Sequence, residues 1–124
     1  MKNVILFIFF IFFVGCSQKQ PKLVQSATII FKTPVMKFYD KGFVTHYDDY
    51  IHLQILNLGK VVLDLEIYED EICQGSLQCL SGKDFNAKYL NKNYKDNFMM
   101  NLFKKDKVHF KDKENNIIIK VRKD

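Results

Sequence analysis

Between residues 51 and 68 the chain repeats with period two, and this pattern limits its folding more than any other. Ile51, Leu53 and Ile55 alternate with His52 and Gln54; Val61, Leu63, Leu65 and Ile67 alternate with Val62, Asp64, Glu66 and Tyr68. Successive side chains of a strand point to opposite faces, so each arm presents one apolar face. Residues 57–60 separate the arms and contain Gly59, a residue type that accepts the positive φ of tight turns. The segment reads as a β-hairpin with one buried face.

Strand signals also dominate upstream. Residues 27–32 and 35–39 are β-branched and aromatic runs separated by Thr33-Pro34, and Pro34 argues against an uninterrupted central strand. Asp40-Lys41-Gly42 is turn chemistry, followed by a strand at 43–47 and a polar corner at Asp48-Asp49. The period then changes. Ser81-Gly82-Lys83-Asp84 resembles a capping box at a helix start, with Phe85, Tyr89 and Leu90 on one helical face. A second short helix is expected from Asp96, with Phe98, Met99, Leu102 and Phe103 as its apolar stripe. Val108 and Phe110, a polar turn at 113–116, and Ile117, Ile119 and Val121 complete another hairpin pattern. The expected fold is mainly β, an antiparallel sandwich of about seven short strands with a short helical insertion. The alternative is an α+β fold with two helices packed on an antiparallel sheet.

The N-terminus has a different character. Lys2 is followed, after Asn3, by an unbroken run of Val, Ile, Leu and Phe from residue 4 to 14, then Gly15 and Cys16. The run is too short for a bilayer core, which needs roughly 20 helical residues, and matches a secretory h-region. Phe13-Val14-Gly15-Cys16 resembles the lipobox of bacterial lipoproteins, with a small residue before the cut and a thiol that can become a diacylglyceryl thioether. Phe13 and Val14 depart from the usual Leu and small residue of that motif, and an uncleaved anchor is the competing reading. The expected organisation is a lipoprotein signal peptide at 1–15, a lipid-anchored tether at 16–26 beginning with Cys16, and one globular domain at 27–124. Ser17 rather than Asp follows the cysteine, which resembles the default outer-membrane sorting signal. Two or more acyl chains suffice for firm membrane attachment.

In an exported chain the remaining pair, Cys73 and Cys79, is most simply a disulfide. It would pin the exit of the 61–68 strand to the start of the first helix. A redox-active pair usually has two intervening residues rather than five, and zinc needs two further ligands. His46, His52 and His109 form no metal-binding motif, and Asp48-Asp49 and Glu69-Asp70-Glu71 lack the spacing of a calcium loop. No nucleophile elbow, phosphate loop or dinucleotide fingerprint occurs, so neither a catalytic constellation, a metal nor a cofactor is expected.

Charge is unevenly distributed. Residues 40–71 carry eight acids against Lys41 and Lys60, whereas residues 83–123 carry twelve Lys or Arg against five acids. A basic face could meet lipid phosphates, lipopolysaccharide or an acidic partner through Lys104, Lys105 and Lys107; self-complementary surface charge is the simpler alternative. Nucleic acid is a poor fit for an exported, lipid-anchored chain.

With the lipobox, the Cys73–Cys79 spacing and the segment SGKDFNAKYLNKNY in view, the chain resembles small Lys- and Asn-rich envelope lipoproteins of epsilonproteobacteria, in which a cysteine pair precedes a helix near a Phe-Asn, here Phe85-Asn86. The resemblance implies a location rather than a reaction. The expected function is a non-enzymatic envelope lipoprotein that binds or braces another periplasmic or outer-membrane component. The alternative is a binding module for an anionic envelope lipid or lipopolysaccharide.

Overall fold

The computed structural model describes residues 20–75 and 78–124; the expected signal peptide at 1–15 and Cys16 lie outside them. The described chain runs β1 (Leu23–Lys32), β2 (Lys37–His46), β3 (Ile51–Asn57), β4 (Lys60–Ile67), β5 (Glu71–Gln74), β6 (Gln78–Ser81), α1 (Gly82–Tyr89), α2 (Phe98–Phe103), β7 (His109–Asp112) and β8 (Ile117–Lys123). The strands form one sheet in the order β6-β5-β4-β3-β2-β1-β8-β7, with antiparallel neighbours throughout. The first six strands form a meander, and the β7–β8 hairpin joins its other side at β1. Both helices lie in the connection from the β6 edge to the β7 edge.

Period two accounts for the layering. Ala27, Ile29 and Phe31 of β1, Leu53 and Ile55 of β3, Leu65 and Ile67 of β4, and Ile117 and Ile119 of β8 share one face and are wholly buried. They pack in one cluster with Phe85 and Leu90 from the first helical segment and Met99, Leu102 and Phe103 from the second. Burying an aliphatic or aromatic side chain of this size contributes about 1.5–3 kcal/mol. The Ser81 hydroxyl accepts from the Asp84 amide at 3.1 Å and caps α1 as expected. Buried Asn86 donates to the Lys95 carbonyl at 2.7 Å, tying α1 to the loop before α2. That loop is fixed to β7 by Tyr94, which packs on Phe98 and Phe110 and donates its hydroxyl to Asp112.

The mainly β expectation with a helical insertion holds. Within it the arrangement differs from a sandwich: the strands join a single sheet, and the helices supply the second layer, as in the α+β alternative. The apolar stripes of the helices occupy the place that a facing sheet would take.

Three local expectations also change. Asp40-Lys41-Gly42 is not a turn, because β2 runs straight through it. Gly42 is there for close approach: a Cβ would overlap the Gln54 carbonyl oxygen on β3. Val61, expected on the core face, is about half exposed, because the β3–β4 register shifts between Ile55 and Leu56. Leu23, Val24, Gln25 and Ser26, expected in the tether, begin β1 and pair with residues of β2. Their exposed ends carry no alternation that would mark a strand.

Candidate functional site: the uncovered sheet face

The helices cover one face of the sheet. Among the described residues nothing is layered on the other, which is built from the alternate strand positions. Antiparallel register places directly opposed residues on the same face, so its composition follows strand by strand.

At the β3–β5 end this face is acidic and aromatic. Tyr47, Tyr50 and Tyr68 stack with ring centroids 4.5 and 5.1 Å apart, which ties the β2–β3 corner to the end of β4. Tyr68 donates its hydroxyl to Glu66 at 3.1 Å. Burial, then that carboxylate, push the phenol up to about 12, so it stays a neutral donor. His52 Nε2 lies 2.6 Å from Asp64 Oδ1, a diagonal contact between β3 and β4. Beyond Glu66 the row continues through Cys73 to Cys79.

At the opposite end the face is cationic. One cross-strand row runs Lys37, Lys32, Ile118, Lys111; the next runs Tyr39, Ile30, Lys120, His109; in a third, Lys41, Thr28 and Arg122 are aligned. Lys41 is held by Asp124 at 2.8 Å. Among the described residues no carboxylate lies within ion-pair distance of Lys32, Lys37, Lys111, Lys120 or Arg122. Tyr39 is 64% exposed and Phe43 40%, so apolar surface lies among these cations. The carboxylates Asp64 and Glu66 and the cations Lys32, Lys37, Lys111, Lys120 and Arg122 therefore sit at opposite ends of one sheet face.

Cys73 and Cys79 form a disulfide. It joins directly opposed residues of the β5–β6 hairpin, rather than linking the end of β4 to the helix. The sequence reading missed this hairpin because each of its strands has only four residues. Glu71 lies beside both sulfurs, a grouping of metal-ligand type among the described residues, but disulfide sulfurs offer no thiolate. His46 is on β2, His52 on β3 and His109 on β7, and they do not converge.

Of the three lysines expected to mark a basic site, Lys107 lines a shallow depression of about 240 Å³ with Lys120, Arg122 and Lys123. Lys104 and Lys105 are exposed in the turn after α2 and do not line it. The cations of β1, β2 and β8 were missed. Their signal was present as Lys or Arg at alternate positions of strands, but it needs the register to become a patch. A second depression, about 390 Å³, lies between α1 and the β5–β6 hairpin and is lined by Gln74, Gln78, Phe85, Lys88 and Tyr89 among others. It gathers no set of groups suited to acid–base or nucleophilic chemistry.

No helix among the described residues is long and apolar enough to cross a membrane. No protein-family model, curated protein or solved structure matches the chain.

Proposed function

We propose that the chain is a bacterial envelope lipoprotein, lipid-anchored through Cys16 in the outer membrane with its domain facing the periplasm. It works by binding, not catalysis: its β domain holds or braces another envelope component. The observation that carries this reading is the uncovered face of the sheet, where charge is sorted into two ends and aromatic side chains lie exposed. The lipobox-like Phe13-Val14-Gly15-Cys16 and the preceding apolar run support the anchor. The Cys73–Cys79 disulfide agrees with an oxidising compartment.

Two measurements test it. Cys16→Ser should block lipidation and normal processing, and unaltered processing and membrane attachment would contradict the anchor. Affinity capture from detergent-solubilised envelopes should recover a reproducible component with the intact protein. Recovery of nothing beyond the background of an untagged strain would contradict the binding role.

A further inference from the structure

We propose that the cationic half of the uncovered face docks on the phosphate-bearing headgroups of an anionic lipid membrane. The proposal rests on the reading of the chain as membrane-tethered, but its chemistry comes from the sheet.

The first observation is an arrangement that opposes folding. Lys32 and Lys37 are directly opposed on β1 and β2, and Lys111 lies in the same row, beyond Ile118. Like charges facing each other across strands destabilise a sheet, and no described carboxylate lies within ion-pair distance of these three. An external anion would relieve them. The second observation is shape. The cations project from strands, with Tyr39, Ile30 and Ile118 between them, and form a broad surface, onto which opens a depression of about 240 Å³ lined by Lys32, Lys111, Asp112, Lys113 and Ile118. Long cationic side chains around apolar and aromatic ones suit a headgroup layer, where phosphates meet the charges and the apolar groups reach the boundary below. The third is reach. Six residues separate Cys16 from the start of β1, and the seven steps from Cys16 to Leu23 span at most ~25 Å. A lipid at Cys16 would keep this face near a bilayer at high effective concentration. The acidic end, carrying Asp64 and Glu66, would be repelled by the same surface, so the domain docks with a defined orientation.

The test compares partitioning of the full chain onto phosphatidylcholine vesicles and onto mixed phosphatidylcholine–phosphatidylglycerol vesicles. The readout is the ratio, which cancels binding through the apolar N-terminal segment. The expected result is a preference for anionic vesicles of about tenfold or more, weakened by salt. The triple change Lys37→Glu, Lys111→Glu, Lys120→Glu should abolish it. The reversal Lys83→Glu, Lys88→Glu, Lys92→Glu, on and beside α1, should retain most of it. Thermal melts confirm that each variant is folded, and Lys→Gln versions of both sets should rank in the same order. No preference in the unaltered chain, a preference that survives the first triple change, or equal loss from both sets would overturn the proposal. So would vesicle indifference accompanied by capture of an acidic protein through the same lysines. Measured also on the Cys16→Ser chain, the ratio stays informative if the anchor fails, so the two readings can fail separately.

Discussion

Leu58 occupies the left-handed backbone region, with φ of 52°, and is almost fully exposed in the β3–β4 turn. Gly59 follows at φ 79°, so the pair has the two positive φ values that favour Asn-Gly in this turn type. Leu58→Asn should raise stability by about 1 kcal/mol, read as a higher urea midpoint at unchanged slope. An unchanged midpoint would show that the turn carries no such strain. His46, at the end of β2, is held below its ordinary value of 6.5 mainly by burial and also by Lys123, with Asp106 acting in the opposite direction. The unfolded chain therefore takes up this proton at a higher pH than the folded one. The contribution is complete above the unfolded value and declines as pH falls through the interval down to the folded value. His46→Gln should flatten the loss of stability between pH 7.5 and pH 5, measured by urea denaturation at each pH. A slope identical to that of the unaltered protein would exclude His46 as its source.

At the scale of elements, the β5–β6 hairpin shows how covalent and packing terms combine. Its strands have four residues each; β5 buries Ile72 and Cys73, but apart from half-buried Leu80 the β6 side chains are exposed, so β6 gains little from burial. The chain-entropy relation gives the short loop closed by Cys73 and Cys79 about 2–2.5 kcal/mol. Cys73→Ser with Cys79→Ser should therefore lower unfolding free energy by about 2 kcal/mol, leaving membrane attachment intact. A loss within experimental error would mean that the hairpin is held by other contacts. The β3–β4 hairpin, both helices and the β7–β8 hairpin were legible in the sequence, because each carries its own periodicity, reinforced in the hairpins by turn residues and in α1 by the Ser81 cap. Gly42 was misread for a physical reason. A glycine in a turn and one at a point of close strand approach look alike in sequence, and only the neighbouring Gln54 carbonyl distinguishes them. The bulge that exposes Val61 is likewise a property of the strand pair rather than of either strand.

At the scale of the whole molecule, a single sheet with helices on one side leaves two unequal faces, and the exposed one concentrates the chemistry. The candidate site was legible only as a charge imbalance along the chain. Its location was not, because Lys32, Lys37, Lys111 and Lys120 come from four strands and become neighbours through register. The expected site at Lys104, Lys105 and Lys107 followed sequence adjacency, and only Lys107 joins the group. If the cationic row is kept for binding at a cost to folding, Lys37→Glu should raise the melting temperature by relieving the Lys32–Lys37 opposition while weakening attachment to anionic surfaces. A fall in both would mean that Lys37 acts structurally. Photo-crosslinking in intact cells decides whether this face is where the protein engages its envelope component. A photoreactive residue at Tyr39 should give a discrete adduct with lipid or protein, and one at Lys92, beyond the end of α1, should not. Equal labelling at both positions, or none at Tyr39, would show that the uncovered face is not the binding surface.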